Sequence, residues 1–263
     1  VWNDEFDGTS LDTSKWSYRT NFWGRRAHWF AAPEDNAVEV KDGLCRLKLV
    51  KRPDGQFVSP QLQTGELLWD IPVLESPKSF WYFPGREKPK FMHRYGYYEC
   101  RCRTQQMPGW WTAFWMQTPM QGCSLDPRRA GIEHDIMESF EPGTLIPHYF
   151  HANGYGDDYA PFHTPRAAEM SDTLSFDKAA FHRFGMLWEP DGYTLYIDGV
   201  LTATIEKNEM DLGVFAQDGL MQFTVGKGIS GALDEVRVWD IFRSGASIGA
   251  TAYKTFEHAS TQP

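Results

Sequence analysis

Short alternations of apolar and polar residues recur along the chain, and each of them predicts a half-buried β-strand. The clearest alternations are 44–49, 193–197, 200–205 and 233–239. The second and third are separated only by Asp-Gly at 198–199, which is a strong signal for a tight hairpin. The pattern therefore predicts antiparallel strands joined by short turns.

Helical periodicity is weak by comparison. Only 177–180 and 206–210 suggest a short helical turn, and no repeat, linker or low-complexity tract divides the sequence. Two small domains would fit the length of 263 residues, but one all-β unit with a single core fits the uninterrupted pattern better. We expect two stacked antiparallel sheets in one domain spanning 1–263, with a loose polar tail over 244–263.

Composition agrees with an all-β fold and narrows the choice of partners. The 11 Trp, 23 Gly and 16 Pro residues favour short strands and turns over long helices. The net charge of −9 makes a phosphate-coated partner such as nucleic acid an unfavourable one. No apolar run approaches the roughly 20 residues of a membrane span, so no membrane insertion is expected. The start at Val1, without a signal-like segment, is typical of a mature or trimmed chain.

The four cysteines are Cys45, Cys100, Cys102 and Cys123, and their spacing matches no zinc or redox motif. Cys100 and Cys102 would share one face of a strand. Two interpretations stay open. The thiols would form disulfides in an oxidising compartment, or they would be small buried hydrophobic side chains.

Three acidic residues crowd the otherwise apolar segment 131–143, namely Glu133, Asp135 and Glu138. On a regular strand, Glu133 and Asp135 share one face and Glu138 points to the other. One β-bulge between Asp135 and Glu138 would bring all three acids to the same face, and such bulges are over-represented beside active sites. A solvated edge strand with acids on its wet face is the alternative.

Two glutamates on one face suit the hydrolysis of a glycosidic bond with retention of configuration. The Cα atoms of Glu133 and Glu138 would lie roughly 13 Å apart, and inward-leaning side chains can bring the carboxyl groups to roughly 5 Å. One acid would attack the anomeric carbon, while the other would protonate the leaving oxygen and then activate water. Asp135 would help to keep Glu138 protonated, because crowded carboxylates cannot all ionise easily.

Further motifs occur in order along the chain. They are Asp-Glu-Phe-Asp-Gly at 4–8, Leu-Asp-Thr-Ser-Lys-Trp at 11–16, Tyr-Gly-Tyr-Tyr-Glu at 95–99, Trp-Thr-Ala-Phe-Trp at 111–115 and Asp-Glu-Val-Arg-Val-Trp at 234–239. Together with the acidic run, these motifs resemble glycoside hydrolase family 16, the laminarinase, agarase and carrageenase group. The resemblance implies a concanavalin A-like β-sandwich jelly roll of two curved sheets, with an open cleft on the concave face.

The resemblance also implies roles for the acidic residues. Glu133 would be the nucleophile, Asp135 the assisting acid, and Glu138 the general acid and base. The position between the first two acids is commonly aliphatic in the family, and here it is His134. Alternation places His134 off the acid face, in the interface between the sheets or in a polar pocket, so we expect a structural role for it.

Trp111, Trp115 and His151 are candidates for binding the sugar. The two tryptophans share a strand face, and flat indole rings suit pyranose rings in a cleft. The resemblance favours Trp115 as the floor for the sugar nearest the cleaved bond. His151 should lie on the strand next to the acids, within reach of substrate or Glu138. Ordinary core packing is the alternative for all three residues.

Two segments mix aromatic and cationic side chains. The segment 21–26 contributes Trp23, Arg25 and Arg26, and a later one contributes Arg86. These residues would suit a sulfated or otherwise anionic sugar, because Arg recognises oxyanions in a fork geometry. Solvated charged loops are the alternative. The first segment also lacks the Glu-Leu-Gln-Tyr type sequence familiar in laminarinases, which favours a galactan over a β-1,3-glucan.

Members of the family often hold a structural calcium away from the cleft. The resemblance places its ligands at Glu5, Gly43 and Asp234, and oxygen ligands of this kind suit calcium. Salt-bridged or exposed acids would explain the same residues equally well. No cofactor is expected for catalysis itself.

These expectations describe a monomeric, endo-acting, retaining β-glycanase. Secretion is expected because a long polysaccharide cannot enter a cell. A galactan such as agarose, porphyran or carrageenan is the preferred substrate, and laminarin or lichenan, the substrates of an endo-β-1,3(4)-glucanase, are the alternative. A non-catalytic lectin on the same sandwich is a hypothesis of another class, and the presence of both glutamates argues against it. A transglycosylase would use the same intermediate but pass the sugar to another chain.

Overall fold

The computed structural model describes 1–22, 25–26, 29–67, 87–105, 111–117, 133–141, 144–151, 162–163, 177, 179–206, 222–225 and 231–239. Apart from a 3-10 turn at Pro33–Asp35, the regular structure of these residues is all β. None of them belongs to a helix long and apolar enough to cross a membrane.

The described strands are numbered in chain order. They are β1 Trp2–Asp4, β2 Ser17–Tyr18, β3 Asn21–Phe22, β4 Arg25–Arg26, β5 Val38–Lys41, β6 Leu44–Leu47, β7 Val50–Lys51, β8 Phe57–Val58, β9 Leu62–Gln63, β10 Gly65–Leu67, β11 Glu87–Pro89, β12 Gly96–Arg103, β13 Thr112–Gln117, β14 Glu133–Glu141, β15 Thr144–His151, β16 Phe162–His163, β17 His182–Glu189, β18 Gly192–Ile197, β19 Val200–Glu206, β20 Gln222–Val225 and β21 Gly231–Trp239.

Two antiparallel sheets contain most of these strands, which confirms the predicted fold class. The first sheet has the order β19-β18-β17-β12-β21-β6-β5, and β1 also pairs with β21. The second has the order β16-β15-β14-β13-β20-β9-β2. In both sheets a strand from the C-terminal third lies between strands from the N-terminal half. Segments that are distant in sequence therefore meet side by side.

The hairpin predicted at 198–199 is present. Asp198 and Gly199 have φ angles of 50° and 78°, so both lie in the left-handed region that a tight two-residue turn between β18 and β19 requires. In the predicted helical turn at 177–180, the amide of Ala180 donates to the carbonyl of Asp177 over 2.8 Å. Of the other predicted helical turn, 206–210, the structure describes only Glu206, which is the last residue of β19.

The core lies between the two sheets and takes large side chains from both. Phe114 and Ile136 of the second sheet and Tyr98, Phe184 and Trp188 of the first are fully buried in one cluster. Burial of such side chains stabilises a fold by about 1.5 to 3 kcal/mol each. The alternation predicted from the sequence thus separates core positions from positions on the outer faces.

Three of the cysteines belong to this core. Cys45, Cys100 and Cys102 are buried free thiols, so the second of the two interpretations is confirmed for them. Burial raises the pKa of the Cys45 and Cys100 thiols, which keeps both of them protonated and unreactive. Cys123 lies outside the described residues.

The first sheet carries a buried ionic cluster on its face away from the core. Glu99 of β12 accepts hydrogen bonds from Arg183 over 2.7 Å and from the Tyr97 hydroxyl over 3.2 Å. Gly185 lies opposite Glu99, and a Cβ atom there would stand 2.0 Å from the hydroxyl of Tyr97. The position therefore requires glycine because an aromatic side chain fills the space that any other residue would need.

Candidate active site

The acidic strand β14 contains the predicted bulge. Against β13, Asp135 pairs with Trp115, whereas Glu138 pairs with Ala113 after a shift of one residue, so Ile136 is the extra residue. Directly opposed residues of neighbouring strands point to the same face. The bulge therefore turns all three acids toward the face that Ala113 and Trp115 share. This agrees with the prediction from Glu138, which is out of phase with Glu133 and Asp135 on a regular strand.

The opposite side of the bulge packs into the core. Ile136 is fully buried there, and so is His134, whose ring makes edge contacts with Trp188 at 5.7 Å and Tyr193 at 4.5 Å between centroids. Burial lowers the pKa of His134 to about 3, so its imidazole is neutral at physiological pH. The expectation that His134 lies in the sheet interface is confirmed.

The acids are buried rather than solvated. Glu133, Asp135 and Glu138 are 6%, 2% and 5% exposed, and β14 lies inside its sheet between β13 and β15. The interpretation as a wet edge strand is therefore wrong. Crowded carboxylates that are withdrawn from water are costly to ionise together. In such a group, one carboxyl can remain protonated as an acid while another is ionised.

Each glutamate has a hydrogen-bond donor. Glu133 Oε2 accepts from the side-chain amide of Gln117 over 3.1 Å, and Glu138 Oε1 accepts from the indole nitrogen of Trp111 over 2.8 Å. Trp111 is half-buried and contacts an acid directly, so it belongs to the site rather than to the core. Donors of this kind fix the orientation of a carboxylate.

Gln117 is in turn held by Arg19, whose Nη2 donates to the amide oxygen of Gln117 over 2.9 Å. The guanidinium carbon of Arg19 also lies 4.9 Å from the centroid of the Trp115 ring. Trp115 is only 4% exposed, with a cation over its ring. It lies on the acid face, opposite Asp135, and Arg19 covers one side of its ring.

Arg19 and Gln117 were not among the residues predicted from the sequence. Gln117 continues the alternation of Trp115 by one further step, so this pattern contained the signal for it. Arg19 follows β2, which pairs with β9, and β9 reaches β13 only through β20. No local pattern shows this long-range order.

The remaining predicted binding residues are His151, Arg25, Arg26, Trp23 and Arg86. His151 lies opposite Glu133 in the register of β14 and β15, rather than opposite Glu138. Arg25 and Arg26 form the two-residue strand β4, of which the backbone alone is described. Trp23 and Arg86 lie outside the described residues.

Of the three predicted calcium ligands, Asp234 is on β21, Glu5 directly follows β1 and Gly43 directly precedes β6. Asp4 at the end of β1 pairs with Val236, and Cys45 of β6 pairs with Leu233. Glu5, Gly43 and Asp234 adjoin these pairs, so the strand register brings their backbones to one region.

The carboxylate of Glu5 does not fit the predicted role as a metal ligand. Both of its oxygens accept hydrogen bonds from Arg237, over 2.9 and 2.8 Å, as the salt-bridge alternative requires. Burial raises the pKa of Glu5, but the hydrogen bonds from Arg237 and Asn3 outweigh it and lower the pKa overall. In the described part of the chain, no group of three His, Cys, Asp or Glu side chains is arranged to hold a metal.

Two curated relatives share about a quarter of their aligned residues with this chain. "Glucan endo-1,3-beta-glucosidase A1" of Niallia circulans is 25% identical over 222 residues, which are 76% of this chain and 28% of the relative. "Glucan endo-1,3-beta-glucosidase" of Cryptopygus antarcticus is 25% identical over 230 residues, 83% of this chain and 73% of the relative. The chain thus spans about a quarter of the first relative's length.

Solved structures share the fold. The catalytic domain of an endo-1,3-beta-glucanase (laminarinase) from Thermotoga petrophila RKU-1 superposes with a TM-score of 0.61 at 21% identity, covering 92% of this chain and 98% of that one. The predicted jelly roll is thereby confirmed. The sequence also matches the family model "Glycosyl hydrolases family 16" over residues 32–234, which include β14 with its three acids. The chain therefore belongs to glycosyl hydrolases family 16.

Proposed function

We propose that this chain is a single catalytic domain that hydrolyses internal bonds of a β-1,3-linked glucan with retention of configuration. The observation that carries the proposal is the bulged strand β14, which turns Glu133, Asp135 and Glu138 to one buried face. The glucanase names of the two relatives support the choice of substrate.

The chemistry needs only the two glutamates. The carboxylate of Glu133 attacks the anomeric carbon while Glu138 protonates the departing glycosidic oxygen, which leaves a glycosyl ester on Glu133. Glu138 then takes a proton from water, the water oxygen attacks the same carbon, and Glu133 leaves as a carboxylate. Asp135, between them on the same face, favours the protonated form of Glu138 by charge repulsion.

A β-glucan is better supported than the galactan that the sequence analysis preferred. The galactan rested on the cationic segments around Arg25, Arg26 and Arg86, whose side chains lie outside the described residues. The two curated relatives are named as glucan endo-1,3-beta-glucosidases, so the endo-β-1,3(4)-glucanase alternative becomes the proposal.

Two further proposals concern the setting of the enzyme. The enzyme acts outside the cell, since its polymeric substrate cannot cross a membrane. It acts as a monomer. A calcium ion would bind where β1, β6 and β21 meet, through backbone carbonyls near Glu5 and Gly43 and the carboxylate of Asp234, because the Glu5 carboxylate is paired with Arg237. Thermal unfolding in calcium and in chelator tests this ion, and equal midpoints would contradict it.

The release of reducing ends from laminarin, lichenan, agarose, porphyran and κ-carrageenan tests the substrate. We expect turnover of laminarin and a loss of at least a thousandfold in Glu133→Ala and Glu138→Gln, as for removal of a residue that takes part in the bond-breaking step. Glu39→Ala is the matched control, since Glu39 is on β5 in the first sheet and pairs with Arg46. The proton NMR signal of the first-formed anomer should show retention.

Other outcomes of the panel would contradict the proposal in different ways. Turnover confined to a galactan would indicate that the cationic segments with Arg25, Arg26 and Arg86 bind the substrate. Binding of laminarin without turnover, unchanged by Glu133→Ala, would indicate a lectin. Longer products in place of shorter ones would indicate transglycosylation.

A further inference from the structure

We infer that Arg19 and Gln117 are positioning residues for Glu133, an inference that rests on the proposed function. Hydrogen bonds connect Arg19, directly after β2, to Gln117 on β13 and Gln117 to Glu133 on β14. Arg19 donates to Gln117 Oε1 over 2.9 Å, and Gln117 Nε2 donates to Glu133 Oε2 over 3.1 Å. Neither residue is one of the three acids, and each would act on the reaction through the nucleophile.

Arg19 decides which way the amide of Gln117 faces. A guanidinium has only donors, so the group of Gln117 that meets Arg19 must be its oxygen. The NH2 group of Gln117 is then turned toward Glu133, where it donates to a carboxylate oxygen. A side-chain amide that turned by half a revolution would place its oxygen against the carboxylate and repel it.

Arg19 is itself fixed from two directions. Its guanidinium lies over the indole of Trp115, and its backbone amide donates to the carbonyl of Gln61 over 2.7 Å. Arg19 is 2% exposed and Gln117 is fully buried, so water does not compete for these hydrogen bonds. The two side chains hold their places before any substrate binds, which is what an orienting group must do.

The hydrogen bond from Gln117 also fixes the direction in which the Glu133 carboxylate faces. Arg19, bonded to the far side of the Gln117 amide, holds that donor in place. Among the described residues, Asp135 lies on the same face of β14 as Glu133, and the backbone of His151 lies opposite Glu133 on β15. A carboxylate at Asp135 would repel that of Glu133, so the donor from Gln117 holds Glu133 in place against a repulsive neighbour.

Four variants separate this role from a packing role. Gln117→Leu removes the donor at similar size, Arg19→Met removes the group that orients the amide, and Arg19→Lys retains the charge. Gln117→Glu is closest in shape but sets a carboxylate against Glu133. The matched controls are Gln56→Leu in the β7–β8 hairpin and Arg46→Met on β6, both outside the site.

Steady-state kinetics on laminarin between pH 4 and pH 9 provide the first readout. We expect kcat to fall roughly tenfold to a hundredfold in Gln117→Leu and Arg19→Met with KM almost unchanged, as for a misplaced catalytic group. Arg19→Lys should recover part of the loss, and the controls should behave as wild type.

Gln117→Glu gives a contrast with a defined sign. Its carboxylate would pair with Arg19 but repel that of Glu133, so it should be the least active variant at neutral pH. Its activity relative to wild type should rise as the pH falls and one of the two carboxylates takes up a proton. A variant that merely repacked the site would lose activity equally at all pH values.

A second readout does not depend on turnover. The nitrogen-15 NMR signal of the Gln117 side-chain amide, assigned by its loss in Gln117→Leu, should report a rigid group in wild type and a mobile one in Arg19→Met. The inference is overturned if that amide stays rigid in Arg19→Met, or if kcat is unchanged in Gln117→Leu. Absence of laminarin turnover in wild type would defeat the proposed function alone, because the amide signal would still decide the inference.

Discussion

His134 places a titratable ring in the core of the molecule, between the acidic strand and the facing sheet. Its neighbours are the rings of Trp188 and Tyr193, and burial lowers the pKa of His134 from 6.5 to about 3. The unfolded chain takes up a proton at this residue below pH 6.5, whereas the folded chain does so only near pH 3. Folding therefore excludes a proton, and stability must fall as the pH falls through this window.

We predict that His134→Met flattens the pH dependence of stability. The free energy of unfolding of wild type should decrease relative to the variant by about 1.4 kcal/mol for each pH unit below 6.5. Urea unfolding at pH 4, 5, 6 and 7 measures both proteins. A constant difference between them over this range would show that His134 takes up its proton as readily in the folded state as in the unfolded state.

At the scale of elements, the bulge in β14 determines which side chains the strand presents to each face. Ile136 is the unpaired residue, and the strand has regular alternation on either side of it. Deletion of Ile136 restores a regular strand, on which Glu133, Asp135 and Glu138 still share a face. An additional residue at the same place would also put Glu138 on the acid face of a regular strand, but two residues further from Glu133 than deletion would.

We predict that deletion of Ile136 yields a folded protein with measurable activity, destabilised by about 2 to 5 kcal/mol through the loss of a buried side chain. Insertion of Ala after Ile136 should abolish activity, because relative to the deletion it moves Glu138 two residues, roughly 6 to 7 Å, further along the strand from Glu133. Reducing-end release and urea unfolding compare the two. The control is insertion of Ala in the β7–β8 turn, and equal damage by insertion and deletion would contradict the argument.

The elements differ in how far sequence alone could predict them. The bulge was predictable, because three acids and the period of a strand lie within six consecutive residues. The place of Arg19 was not, because it depends on β20 pairing with both β9 and β13. Alternation shows which face a residue joins, but it contains no information about which distant strand lies next to it.

At the scale of the whole molecule, the ionic cluster around Glu99 connects strands from both ends of the sequence. Arg183 on β17 and Glu99 on β12 form a buried pair, and Arg237 on β21 lies 3.9 Å from the same carboxylate. Arg237 also binds Glu5, next to β1. The cluster lies on the face of the first sheet away from the core, so it bears on stability and not on the acids of β14.

We predict that Glu99→Met destabilises the protein by about 3 to 5 kcal/mol, because Arg183 is left as a buried charge without its partner. The double variant Glu99→Met with Arg183→Met should recover most of this loss, since two apolar side chains replace the pair. Urea unfolding of both single variants and the double variant forms the test. Strictly additive losses would mean that the two residues contribute independently.

The sequence predicted the fold class of the molecule but not its strand order. Alternation and turn signals predicted two antiparallel sheets, and the motifs predicted the jelly roll, but the order of strands within each sheet came from neither. Strand order depends on pairings between residues more than a hundred positions apart, as between β12 and β21. Such pairings are decided by the packing of the complete core.

The contact between Gly185 and Tyr97 also limits how this family member can have evolved. The space of a missing Cβ holds a phenol hydroxyl that bonds to Glu99. A lineage could not have gained a larger residue at 185 while tyrosine stayed at 97, nor would tyrosine be accommodated at 97 unless glycine was already present. These two positions should therefore vary together among homologous sequences, with glycine preceding tyrosine in ancestral order.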